Sequence, residues 1–133
     1  MDDVVVKAYR KLCREGFKNT GEIDKPDIFI DSVGEKIRLC AHTSHAFINI
    51  YFKITNDVIE DVKYLCTCDP TANVTVEIMC HLLKGKTLGE AKAITEKDFS
   101  EALGTTGEEY LKKVRGIIEL LHRGIARYKA ESR

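Results

Sequence analysis

The segment from Val58 to Leu88 constrains the fold more than any other part of this 133-residue chain. Its first residues alternate apolar and polar, as in a half-buried strand, and this pattern runs into a Cys-x-Cys motif at Cys66 and Cys68. Asp69 and Pro70 follow at once, and aspartate as N-cap with proline at the first helical position is a strong helix start. The N–H groups and the dipole of a helix N-terminus favour thiolates. The sequence therefore predicts two cysteines at a strand-to-helix junction, a position suited to metal or sulfur chemistry.

Composition limits the classes of protein to consider. The chain has 21 basic and 21 acidic residues, so its formal net charge of zero gives no support for nucleic-acid binding. No apolar run approaches the roughly 18–20 residues that span a membrane, and the first residues do not resemble a signal peptide. We expect one domain over residues 1–133, a cytoplasmic location, and no disulfide framework from the five cysteines, an odd number.

Three strand patterns lie close together along the chain. They cover residues 36–41, 46–54 and 58–66, with a turn signal at 55–57. In the first of them, Ile37, Leu39 and Ala41 alternate with polar or cysteine residues. Short connections between consecutive strands predict an antiparallel sheet.

Helical patterns flank these strands. They cover residues 3–15, 70–84 and 96–103, and a last helix has one continuous apolar seam from Leu111 to Tyr128. Capping-box patterns occur at Thr87 with Glu90 and at Thr106 with Glu109. The predicted fold class is therefore α+β: an N-terminal helix, a three-stranded antiparallel sheet, and several helices packed on one face.

Other residues are assigned structural places. Cys13 and Cys80 lie on apolar stripes and are predicted to be core residues, whereas His81 is predicted to be solvated. Gly116 and Gly124 interrupt the last helix and are expected to permit close packing. Lys112 and Lys113 read as surface lysines, unless they lower the pKa of a nearby thiol.

Six strings occur in the order and spacing of one known family. They are 19–24 (NTGEID), 59–61 (IED), 84–88 (KGKTL), 90–94 (EAKAI), 98–103 (DFSEAL) and 125–129 (IARYK). Together they resemble the iron–sulfur cluster assembly scaffolds of the NifU/IscU type. The resemblance implies the same element order and a non-enzymatic role in cluster assembly. It also implies a cysteine desulfurase and acceptor apo-proteins as partners.

The resemblance also indicates which positions of this chain correspond to the family's three cysteines. These positions are residues 43–46, the junction of Cys68 and Asp69, and about Lys113. His45 falls close to the aspartate of the family's first motif, and residues 103–107 replace the stretch that scaffold chaperones recognise. The chain thus departs from the usual ligand set, and we expect that it would not replace an ordinary three-cysteine scaffold.

A rearranged ligand set is available in the predicted topology. Cys40, His42 and His45 lie on the connection between the first two predicted strands, which in the resembled fold meets the end of the third strand. Thiolate and imidazole ligands suit zinc and iron. We therefore predict a metal site drawn from Cys66, Cys68, Asp69, Cys40, His45 and His42, with an iron–sulfur cluster, an iron ion or a zinc ion as the bound species.

Three functions remain open at this point. The preferred one is a scaffold-like protein that binds iron, zinc or a cluster at the Cys-x-Cys tip. The second is a sulfur acceptor that carries a persulfide on Cys68, and the third is an interaction domain that lost metal binding. No Ser–His–Asp order, Gly-rich phosphate loop or paired-carboxylate spacing supports an enzyme.

Overall fold

The computed structural model describes residues 2–37, 39 and 46–131. Its elements are α1 (Asp3–Glu15), β1 (Ile28–Asp31), β2 (Ile48–Thr55), β3 (Val58–Cys66), α2 (Pro70–Leu83), α3 (Leu88–Lys92), α4 (Glu96–Leu103) and α5 (Glu108–Glu131). The strands form one antiparallel sheet in the order β1-β2-β3, and α2 and α5 contact it. The predicted fold class is confirmed. Within the described ranges, no helix combines the length and the apolar character that crossing a membrane requires.

The two faces of the sheet differ, as alternation along the strands requires. Ile30 pairs with Ile50, which pairs with Tyr64 on β3, and all three side chains are buried beneath the helices. On the opposite face Phe29 pairs with Tyr51, and their ring centroids lie 5.2 Å apart. The helices therefore cover one face, and the core lies between that face and the helices.

The predicted position of the first strand was wrong. β1 is Ile28–Asp31, and the described residues between 36 and 41 contain no strand. Ile37 and Leu39 are nevertheless used for packing, because both lie against Gly116 on α5. Their apolar alternation therefore reflects contact with a helix, whereas the four-residue β1 was too short to separate from the loop before it.

Two capping boxes are present in the part of the chain that the structure describes. Thr87 and Glu90 exchange side-chain and backbone hydrogen bonds as predicted. The second box forms before α4, at Thr95 and Asp98, and not at the predicted Thr106, since α5 begins at Glu108.

The cysteine and histidine assignments had mixed outcomes. Cys80 is fully buried and His81 is exposed, as predicted. Cys13 is exposed, so its assignment to the core was wrong. In helix α1 only Val5 is fully buried, and Leu12 packs against the core while partly exposed. Cys13 is the next residue and lies outside this apolar face of the helix.

Helix α5 approaches the sheet closely at its glycines. A Cβ atom on Gly124 would lie 2.5 Å from Cδ1 and 2.7 Å from Cγ1 of Ile30, which is itself buried. A Cβ atom on Gly116 would overlap the side chain of Leu39. The prediction that these glycines permit close packing is confirmed.

We expect Gly124→Ala to destabilise the protein by about 1–3 kcal/mol, because the added methyl group overpacks a filled core. The matched control is Gly89→Ala in α3, where the nearest atom would be 3.8 Å away. That control should be neutral or stabilising by up to about 1 kcal/mol, since alanine is the better helix former. Urea unfolding of both variants measures the difference. Equal stabilities would show that α5 shifts to accept the methyl group.

Candidate functional site

The predicted site lies where β3 ends and α2 begins, and we call the segment from Cys66 to Asp69 the tip. Cys66 is the last residue of β3 and pairs with Ile48. Pairing continues one step further: Thr67 N donates to the Phe47 carbonyl at 3.0 Å, and Phe47 N donates to Thr67 Oγ1 at 2.9 Å. Cys68 Sγ lies 3.7 Å from the same Phe47 carbonyl oxygen. The start of β2 thus holds the tip from one side.

Asp69 starts α2 as the sequence predicts. Its extended backbone precedes Pro70 at the first helical position, and its Oδ1 accepts a hydrogen bond from Ala72 N at 2.9 Å. An aspartate in this role commonly stabilises a protein by about 1 kcal/mol. One carboxylate oxygen of Asp69 is therefore committed to the helix.

The second oxygen of Asp69 binds an ammonium group. Lys113 on α5 places Nζ 2.9 Å from Asp69 Oδ2, and only 12% of the Lys113 side chain is exposed. The same Nζ also donates to the carbonyl of Leu39. Lys113 is not the surface lysine that the sequence indicated, because it joins α5 both to the tip and to the chain at Leu39.

This pair occupies positions that matter in the resembled family. The resemblance assigns two of the family's cysteines to the Cys68–Asp69 junction and to about Lys113. Here a carboxylate and an ammonium meet instead, with 35% of the Asp69 side chain exposed. The site is an ion pair where the family pattern has thiolates.

Burial controls the chemistry of Cys66. Its partly buried position raises the pKa of the thiol to about 11, and the negative charge of Asp69 adds to this effect. A backbone hydrogen bond at Cys68 and the ammonium of Lys113 act in the opposite direction but do not outweigh burial. Cys66 is therefore a protonated thiol at neutral pH.

The cysteines differ in their oxidation state. Cys13, Cys66 and Cys80 are free thiols. Cys68 is disulfide-bonded, which corrects the expectation that no disulfide would form. Any ligand role for Cys68 thus requires its reduction.

The structure describes three of the six predicted ligand residues. Cys66, Cys68 and Asp69 lie within the tip, whereas Cys40, His42 and His45 lie outside the described residues. Among residues 2–37, 39 and 46–131, no three cysteine, histidine or acidic side chains are grouped so that they could hold a metal ion. The predicted metal site therefore stays a prediction.

Two residues near the 40–45 segment are bonded to the tip or to its ion-pair partner. Phe47 is hydrogen-bonded to Thr67 of the tip, and Leu39 accepts a hydrogen bond from Lys113, which binds Asp69.

Sequence reasoning missed a second polar group behind the tip. Glu77 on α2 is 1% exposed and accepts hydrogen bonds from Asn19 Nδ2 at 2.5 Å and from the Tyr64 hydroxyl at 3.0 Å. His81 Nε2 lies 3.2 Å from Oε2 of Glu77, the oxygen that also accepts from Asn19. The available signal was a lone glutamate within a helix whose other residues are mostly apolar.

Comparison with known proteins identifies the family. Residues 14–133 match the NifU-like N-terminal domain family, and the chain belongs to that family. Two curated relatives from Archaeoglobus fulgidus, named iron–sulfur cluster assembly scaffold proteins IscU 1 and IscU 2, are each 29% identical over 111 residues. Each match covers 84% of this chain and 68% of the relative. The family resemblance found in the sequence is confirmed.

Solved structures show the same fold at lower identity. A scaffold protein described for the SUF system of Fervidobacterium islandicum aligns with a TM-score of 0.65 at 14% identity, covering 94% of this chain and 96% of that one. The N-terminal part of a NifU-like protein from Brucella abortus aligns with a TM-score of 0.63 at 12% identity, covering 97% and 94%.

We expect Cys66 to resist alkylation at pH 8. A thiol with a pKa near 11 has about a hundredfold less thiolate than an ordinary cysteine, and the thiolate is the reactive form. Iodoacetamide should thus alkylate the exposed Cys13 of the native protein at least about tenfold faster than Cys66. Peptide mass mapping follows both rates. The Cys66 rate should continue to rise as the pH approaches 11, and equal rates at pH 8 would contradict the burial argument.

Proposed function

We propose that this chain takes part in iron–sulfur cluster assembly as a scaffold-type protein that holds its cargo at the tip. The cargo is iron or a nascent iron–sulfur cluster, with zinc as another ion that the same ligands would bind. The observation that carries this proposal is the placement of Cys66, Cys68 and Asp69 together at the strand-to-helix junction of a family member. The role is structural and not enzymatic.

The chemistry of the tip supports the proposal. Thiolate and carboxylate groups are ordinary ligands of iron and zinc. The proposed set uses Cys66, Asp69 and Cys68 after its reduction, and Cys40, His42 and His45 are the candidates that would complete it. This proposal is supported by two contacts near the 40–45 segment: Phe47 bonds to Thr67 of the tip, and Leu39 bonds to Lys113, the partner of Asp69.

The partners follow from this role. A cluster needs a sulfur source, so we propose a cysteine desulfurase as donor and apo-proteins as acceptors. We also propose that the protein acts in the cytoplasm. Its zero net charge gives no reason to include a nucleic-acid partner.

A sulfur-acceptor role is the second candidate, and the disulfide bond of Cys68 favours it, because this sulfur already takes part in an S–S bond. In this role Cys68, once reduced by a thiol, attacks the outer sulfur of a donor persulfide as a thiolate. A new S–S bond forms on Cys68, and the donor cysteine leaves as a thiolate. Mass spectrometry after incubation with a desulfurase and cysteine would show the added sulfur.

The metal role predicts a dependence on both tip cysteines. Fully reduced protein is mixed with Fe(II) and sulfide without oxygen, desalted, and analysed for iron and for visible absorption. Changing Cys66 and Cys68 together to serine should abolish stoichiometric iron, because serine is a poor ligand for these soft sites. The control is Cys13→Ser, which removes one exposed thiol from α1.

The control variant should bind as much iron as the unchanged protein. Far-UV circular dichroism should be the same for all three proteins. Full iron content in the double variant would place the cargo elsewhere. An added sulfur on Cys68, with no iron in the unchanged protein, would favour the sulfur-acceptor role.

A further inference from the structure

The ion pair at the tip occupies the carboxylate that the proposed cargo would use. Asp69 has two oxygen atoms, and both already have partners: Oδ1 accepts from Ala72 N at 2.9 Å, and Oδ2 lies 2.9 Å from Lys113 Nζ. The first contact is part of the helix start. The second is the one that a bound cation would have to replace.

The Lys113 side chain is fixed by two contacts. It is 12% exposed, and Nζ donates both to Asp69 and to the backbone carbonyl of Leu39. Lys112, the preceding residue on α5, is exposed. The two neighbouring lysines therefore offer a direct comparison between a charge bound to the tip and an exposed charge on the same helix.

A dication and an ammonium cannot share one carboxylate oxygen at low cost. Like charges a few ångströms apart repel strongly where burial limits solvent screening. A metal ion that uses Asp69 must therefore displace Lys113 from Oδ2. The metal loses affinity equal to the free energy that the ion pair had contributed.

We propose that Lys113 sets the affinity of the tip for metal ions by competing with them for Asp69, so that loading requires its displacement. This inference rests on the proposed function, and it concerns how weakly the cargo is held. Lys113 is a positioning residue, because it acts through Asp69 and not by ligating the cargo. An ammonium that returns to Asp69 also assists release of the ion.

The test uses Co(II) as a spectroscopic probe for Fe(II), added to fully reduced protein without oxygen. Thiolate-to-cobalt absorption reports occupation of the tip, and its titration gives Kd. Lys113→Met removes the ammonium while keeping an unbranched side chain, and it should bind Co(II) at least tenfold more tightly than the unchanged protein. Lys112→Met removes the same charge outside the tip and should change Kd less than twofold.

Two further variants separate competition from a structural role. Lys113→Arg keeps the positive charge and should bind Co(II) as weakly as the unchanged protein. Lys113→Gln keeps N–H donors for Asp69 and Leu39 without the charge, and should bind more tightly. Circular dichroism and the Tm of each variant establish that it is folded.

The outcomes distinguish this inference from the proposed function. Cobalt that binds through Cys66 and Cys68 with the same Kd in Lys113→Met and in the unchanged protein overturns the competition but leaves the function. Cobalt that binds only after Lys113→Met supports the competition in its strongest form. No cobalt in any variant, Lys113→Met included, overturns the proposed metal site and the inference together.

Discussion

The arrangement of sheet and helices depends on the hydrogen bonds to the buried carboxylate of Glu77. Glu77 has the one charged side chain that is buried within the described part of the chain. An unpaired buried charge would cost several kcal/mol. The donors from Asn19 and Tyr64 must therefore be in place when α2 packs on the sheet. Because β3 continues from Tyr64 to Cys66, these hydrogen bonds also fix how the cysteine approaches the start of α2.

The backbone around Asn19, whose side chain binds Glu77, also pairs with an open edge of the sheet. Tyr64 N donates to the Asn19 carbonyl at 3.0 Å, and Gly21 N donates to the Tyr64 carbonyl at 2.8 Å. The segment after α1 thus lies along the outer edge of β3, which would otherwise present unpaired backbone groups. Lys84 Nζ reaches the Asn19 side chain at 2.9 Å from the end of α2. The family-like strings at 19–24 and 84–88 therefore have a shared physical role, because their first residues bind each other and Asn19 in turn binds Glu77.

Local patterns predicted those elements whose signals are local. The Asp69–Pro70 helix start and the strands before it follow from capping and alternation, and both are present. β1 has only four residues, and its exposed Phe29 weakens the contrast between its two faces. The pairing of Asp69 with Lys113 joins residues 44 positions apart in the chain. No periodicity within a single helix could indicate it, and only the packing of α5 against the tip brings the two charges together.

The charged and ionisable groups of the tip balance one another within the protein. Asp69 and Lys113 neutralise each other, and burial keeps Cys66 protonated, so these three groups together carry no net charge. Sites whose ligands are charged in the absence of metal often depend on the metal for folding. In the proposed role this tip need not, because its internal ion pair replaces the metal's charge. In that role, loading would remove a proton from Cys66 and move Lys113 from Asp69, and both costs would weaken the complex. Weak binding of this kind suits the proposed cargo, which a scaffold must pass on.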